Sequence, residues 1–360
     1  MKKSVWISMI VAVGLLLAGI ACIAVGLAMG GHHDLAEEKT PLTVTHFTPE
    51  GDFDSVVVDT ITADVTFAYA EDGVCRVEAR DRESIIYTAE ILDGTLLIRA
   101  SDNRAWYQHL SVGVSANRSV QIFLPAKSLK SLTVDVTTGD VSVPRDFTFS
   151  GNVELSSHSG DLTLLAAVEG DTSLETTTGD ITVEGKHKTV SASATTGDVT
   201  LRHVDAKELT VSVTTGSIHV QKAVAVAVTA AAGTGDVILE DVITDDAIRV
   251  TTTTGDQQLL RVLCGSMTLR AGSGCVTLTE SVTLGHAAVK TTTGDVTFVR
   301  SDAVTLSVDV TTGDVTGSLL TSKIFSVAST SGSVNVPQFS VGGLCEIKTT
   351  SGSVRITIEE

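Results

Sequence analysis

The chain has 360 residues and a formal charge of −18, and only 4% of its side chains are aromatic. Such an excess of carboxylates repels phosphate backbones and excludes nucleic acid as a partner. The five cysteines, Cys22, Cys75, Cys264, Cys275 and Cys345, have neither C-x-x-C spacing nor the density of a disulfide scaffold, so they read as unpaired.

Residues 1–31 come first. Ser4 to Gly31 is an uncharged, largely apolar run of 28 residues, longer than the ~20 that a helix needs to cross a bilayer. Lys2 and Lys3 precede it, and Asp34, Glu37 and Glu38 follow. The positive-inside rule then places the N-terminus in the cytoplasm and the rest of the chain outside, with the helix touching membrane lipid. A cleaved signal peptide ending near Ala28-Met29-Gly30 is the rival reading, although its apolar region normally runs ~7–15 residues. A lipoprotein signal at Cys22 is weaker, because Gly19 sits where a branched aliphatic belongs. Gly26 and Gly30 have the spacing of a helix-pairing motif, which is common by chance in Gly-rich segments.

Residues 32–50 form a juxtamembrane spacer in which Pro41 and Pro49 discourage regular structure. Residues 51–131 read as an irregular N-terminal β cap. Its strands are centred on Val56–Val58, Val65–Phe67, Arg76–Ala79, Ile85–Tyr87, Leu96–Ile98 and Ser119–Leu124, with turn signals at Asp72-Gly73 and Asp93-Gly94. Thr62-Ala63-Asp64-Val65 looks like a worn first copy of the repeat that fills the rest of the chain.

Residues 132–360 repeat a phrase first seen whole at Thr137-Thr138-Gly139-Asp140-Val141. Its glycine recurs at Gly139, Gly160, Gly179, Gly197, Gly216, Gly235, Gly255, Gly274, Gly294, Gly313, Gly332 and Gly352. The mean interval is roughly 19.4 residues, a solenoid period. Within one repeat, Val199 and Leu201 alternate with polar residues, as do Leu209, Val211 and Val213, while Arg202 to Glu208 reads as the connection. No repeat can cover its apolar face alone, so coils stack in parallel as an all-β, single-stranded parallel β-solenoid of ~19-residue coils. Twelve rungs ~4.8 Å apart make a rod of roughly 55 Å. The glycine is expected at a corner with positive φ. The paired threonines are expected to pass hydroxyl hydrogen bonds between rungs, and Ser353–Ile358 to be left as the exposed final edge.

The N-terminal apolar anchor, Asp93-Gly94-Thr95-Leu96, Ile122-Phe123-Leu124-Pro125 and the serial Thr-Thr-Gly-Asp-Val units together resemble the bacterial DUF4097 family of β-strand-repeat adhesins. The resemblance covers roughly residues 50–360. It implies a parallel β-solenoid at the cell envelope, and it brings no catalytic residues to transfer.

The residue after the repeat glycine is Asp in eight of twelve copies: Asp140, Asp161, Asp180, Asp198, Asp236, Asp256, Asp295 and Asp314. Stacking makes a carboxylate ladder whose neighbours repel by roughly 1 kcal/mol in water. Hydrogen bonds to turn N–H groups offset this on one reading, and a row of calcium ions on the other. The two-glycine nonapeptide signature of calcium-binding solenoids is absent. His158, His187, His203, His219 and His286 share no motif with a serine nucleophile and read as surface or turn residues. His32-His33 is a weak metal site, and Trp106-Tyr107 is a candidate for sugar contact or cap packing.

The sequence thus assigns no catalytic, cofactor-binding or metal-binding residue. Its leading functional reading is a non-catalytic, extracytoplasmic, membrane-anchored protein of adhesin-like binding or envelope structure, with a glycan, cell-wall or envelope-protein partner. An accessory protein of envelope-stress signalling is the alternative. A polysaccharide-active enzyme comes third, because coils of 18 to 21 residues leave little loop to wall a cleft.

Overall fold

In the computed structural model, which describes residues 42–103, 118–339 and 341–359, the chain is all-β, and parallel rungs build a solenoid of about twelve turns. Among the described residues no helix is long and apolar enough to cross a membrane. The expected N-terminal membrane helix, most of the spacer, His32-His33 and Trp106-Tyr107 lie outside them.

Near its N-terminus the array is closed by antiparallel strands. Thr43–Phe47 pairs with Arg76–Asp81, which pairs in turn with Ser119–Leu124. Ile85–Leu92 and Thr95–Asp102 form a hairpin over Asp93-Gly94, where φ of 50° and 74° matches the two-residue turn that suits twisted strands. A buried network ties this region together. Asp81 accepts a 2.8 Å hydrogen bond from the Tyr87 hydroxyl and lies 3.5 Å from Arg118 Nε. The worn copy at Ala63 is indeed the first rung, since Val65 pairs in parallel with Val141, which pairs with Leu162.

Each regular coil has three sides. Along Val199–Thr215 the buried residues are Val199 and Leu201, then Val204 and Ala206, then Leu209, Val211 and Val213. Adjacent exposed residues mark the bends at Arg202-His203 and Lys207-Glu208. The stretch read from sequence as a connection is therefore a short third strand with its own inward pair. At the first bend His203, Lys222, Asp241, Arg261, Glu280 and Arg300, each six residues after its repeat glycine, adopt φ between 49° and 54°. This left-handed conformation is unfavourable for residues with a Cβ. The last corner is the repeat glycine. Gly197 has φ of +136°, and a Cβ there would sit 2.0 Å from the carbonyl oxygen of Gly179. Conformation and close approach both demand glycine.

Two expectations are corrected. The paired threonines before the glycine are exposed. Hydroxyl bonds to the neighbouring glycine carbonyl come instead from the buried residue three before the glycine, as in Ser157 to Gly139, Thr176 to Gly160 and Thr291 to Gly274. Period-2 alternation turns that residue inward beneath the carbonyl and leaves the next two at the corner.

The stacking order also departs from chain order at the end. Gly343–Ser351 pairs with Val296–Thr312 on one side and Lys323–Ser331 on the other. The last coil in sequence is thus inserted before the eleventh, and Val354–Ile358 lies between Val315–Leu319 and Val334–Asn335. The open edge is Lys323–Ser331, not Ser353–Ile358. Burial explains the exchange. Cys345, Ile347, Val354 and Ile356 are fully aliphatic or thiol and covered on both sides. The coil left outside carries Ser329 inward and a two-residue second strand ended by Pro337, a residue suited to an edge. Lys323 fixes that outer coil by reaching past its register partner Gly343 to Asp302, 2.7 Å away, and both side chains are buried.

Candidate functional site

The carboxylate ladder is part of the scaffold. Asp140 Oδ1 accepts the backbone N–H of Asp161, Asp161 that of Asp180, Asp180 that of Asp198, and Asp198 that of Ser217, at 2.7–2.8 Å. The pattern resumes from Asp236 to Asp256 and from Asp256 to Cys275. Each carboxylate therefore accepts a hydrogen bond from the next rung's turn, which offsets the repulsion along the row. Among the described residues no group of three or more His, Cys, Asp or Glu side chains is placed to hold a metal ion.

The concave feature lies on the third side of the coils. Its inward column runs Val168, His187, Ala206, Ala225, Thr244, Cys264, Thr283 and Ala303 in successive rungs. Most of these are small, so little bulk supports this side from within. Outside it lies an open groove with a cavity volume of about 650 Å³, lined from Ser128 to Asp245. Seven rungs take part, which makes it ~29 Å long.

Two outward columns wall the groove. One runs Thr148, Ala167, Lys186, Asp205 and Val224, and continues beyond the groove as Ile243 and Leu263. The other includes Glu169, Lys188, Lys207, Val226 and Asp245. Three lysines thus face three carboxylates around an apolar floor, and the wall carries no net charge on a strongly acidic chain. Lys188 is held by Asp171 at 3.1 Å. The hydrogen bond from Lys188, with a second from Thr189, holds the Asp171 carboxyl below its usual pKa. Further along, Val224, Ile243 and Leu263 are 52%, 46% and 38% exposed. They form an exposed aliphatic column, in register on consecutive rungs.

His187 corrects the expectation that the histidines lie at the surface or in turns. It is buried in the floor, with Nδ1 3.0 Å from Thr172 Oγ1 and Nε2 3.1 Å from the Glu184 carbonyl oxygen. Burial lowers its pKa, against an opposing effect of the Glu184 carbonyl. It points inward because of the parity of the strand after Gly185, whose register shifts by one residue against the next coil. The 18-residue interval from Gly179 to Gly197, the shortest in the array, signals that shift, but it does not say at which side of the coil the residue is missing. His203 does lie at a bend, and His286 is exposed beside Thr305.

Cys75, Cys264, Cys275 and Cys345 are free thiols. Cys264 faces the core beside Thr283 at 3.5 Å, while Cys275 is exposed in the position of the ladder aspartates. Desolvation pushes Cys75 up to about 11 and Cys345 up to about 12. Neither is a thiolate nucleophile at neutral pH.

Sequence reasoning missed the groove because it took residues 202–208 and their equivalents for a linker. The signal was present in the alternation of Val204 and Ala206, but two apolar residues do not announce a strand.

The family profile described as Toastrack DUF4097 matches residues 53–261 and 260–360. No curated protein matches the chain. Among solved structures, one titled a putative adhesin from Parabacteroides distasonis is similar at 13% identity and a TM-score of 0.43, covering 89% of this chain and 99% of that one. Another so titled, from Parabacteroides merdae, is 14% identical with a TM-score of 0.41 over 79% and 99%. A structure titled a putative lipid binding protein, from Parabacteroides distasonis, is 12% identical with a TM-score of 0.33 over 79% and 98%.

Proposed function

The chain belongs to the Toastrack DUF4097 family, and from the groove on its third side we propose that it is a membrane-anchored, extracytoplasmic binding protein of adhesin type that performs no catalysis. The groove carries this reading. It is long, shallow and open, it crosses seven rungs, its floor is apolar, and the charges of its walls balance. Such a trough suits an extended ligand that crosses the strands and makes many weak contacts, as a cell-wall glycan strand does. A compact substrate held against one reactive group would need a deeper, more enclosed site. Two observations support the non-catalytic part. The buried imidazole in the floor has partners at both ring nitrogens, and the ladder carboxylates accept backbone N–H groups.

Anchoring by residues 1–31, with the solenoid outside the cytoplasm, rests on the uncharged 28-residue run and the lysines before it. The test is retention of purified residues 32–360 on cell-wall, glycan and solubilised-membrane fractions. Wild type is expected on wall or glycan, and a Val226→Asp/Lys207→Glu variant, altered only at exposed groove positions, is expected to lose most of that retention. Equal retention of the variant would reject the groove. Retention by the membrane-protein fraction alone would favour a signalling accessory.

A further inference from the structure

Among the described residues the end of the stack is an open sheet edge whose longest strand has no exposed charge, proline or bulge, Pro337 lying beyond the short second strand. Lys323–Ser331 is nine residues long and, among the described residues, pairs on one side only, with Gly343–Ser351. Natural edges are blunted by charge, proline or a bulge. This strand has no proline, no register shift and a single charge, the Lys323 ammonium, which is buried against Asp302. Between Asp314 and Glu346 Lys323 is the only charged side chain, and the ladder aspartate is replaced by Ser333 and Ser353 in the last two coils. Inward-facing Phe325 and Val327 are only partly covered, and Ile324 and Val334 are 43% and 48% exposed.

We propose that two copies of this chain join end to end at this edge, with Lys323–Ser331 pairing antiparallel to itself across a two-fold axis. An antiparallel two-fold contact sets residue i opposite j and j opposite i, so the strand meets its own side chains, and one without exposed charge is self-complementary where a charged one is not. Two rods of charge −18 also repel least when their neutral ends meet. The same edge serves both copies, so the two-fold contact is closed and association through it stops at two.

The first described strand, Thr43–Phe47, lies at the opposite end of the stack. The pairing therefore places both Thr43–Phe47 strands at the far ends of a double rod of roughly 110 Å. With the anchored reading above, on which this last step rests, the contact is homophilic and bridges two facing membranes.

The full-length protein in detergent, weighed by light scattering from 1 to 100 µM, is expected to be a dimer that dissociates on dilution. Ser326→Glu/Ala328→Glu places carboxylates at two exposed edge positions and is expected to weaken association at least tenfold with an unchanged melting temperature. Hydrogen exchange needs no substitution. Amides of Ile324–Thr330 that face the free edge are expected to slow at least tenfold at dimer concentrations. A monomer at 100 µM overturns the proposal, as does a dimer that the double variant leaves intact, which would be held by the N-terminal segment. Edge amides that exchange freely in the dimer overturn it as well. Reconstituted vesicles are expected to cluster with wild type and not with the variant. Dimers in detergent without clustering would uphold the pairing and overturn the anchoring instead.

Discussion

Gly197→Ala isolates the contact that sets the rung spacing. The added Cβ would lie 2.0 Å from the Gly179 carbonyl oxygen and 2.6 Å from its carbon, with φ at +136°. Both neighbours are backbone, so relief requires the rungs to part by more than ~1 Å. Three hydrogen bonds bridge them at this corner: Gly179 N–H to the Thr196 carbonyl at 2.9 Å, Ile181 N–H to the Asp198 carbonyl at 2.9 Å, and Asp198 N–H to Asp180 Oδ1 at 2.7 Å. At about 1 kcal/mol each these amount to about 3 kcal/mol. The Gly-only backbone conformation adds about 1–3 kcal/mol of strain. The expected loss is therefore about 4–6 kcal/mol. Gly73→Ala is the control, since Gly73 has φ of +71° with nothing within 4 Å of the added carbon. Strain alone predicts about 1–2 kcal/mol there. Urea denaturation gives the difference. Because repeat arrays can unfold piecewise, hydrogen exchange at Ile181 and Val199 should show the weakness concentrated at the substituted rung. A Gly197→Ala variant no less stable than Gly73→Ala would refute the close-approach argument.

Lys323→Met strands the buried Asp302 carboxylate and is expected to destabilise the terminal coils by about 3–5 kcal/mol. Lys323→Met/Asp302→Leu should recover most of this, as judged by chemical denaturation. His187 has its pKa lowered by burial, so the unfolded chain binds more protons below its ordinary pKa of about 6.5, and stability must fall as pH drops through that value. Melting temperatures at pH 7.5 and 5 should diverge more in wild type than in His187→Gln, and equal slopes would remove the histidine from the account. Of Cys75, Cys264, Cys275 and Cys345, maleimide at pH 7.5 is expected to label Cys275 alone within minutes. The other three are buried, and desolvation raises their pKa values. Peptide mapping by mass spectrometry decides it.

The sequence by itself determined whatever is local and periodic. A spacing near nineteen, alternation within Val199–Leu201 and Leu209–Val213, and a glycine at one corner of each coil follow from strand pleat and from φ angles that each segment obeys regardless of its neighbours. The Asp93-Gly94 hairpin was legible for the same reason. Tertiary structure decided what depends on which rung lies against which. Near-identical coils offer near-identical edges, so nothing in the repeat says that Gly343–Ser351 should slip between Val296–Thr312 and Lys323–Ser331. That choice follows from how completely each coil can bury its inward residues and from the single Lys323–Asp302 pair. Register likewise turned His187 inward and lined Val224, Ile243 and Leu263 into one column. The groove exists only where separate coils bring their third sides together, and so it had no address in any one repeat.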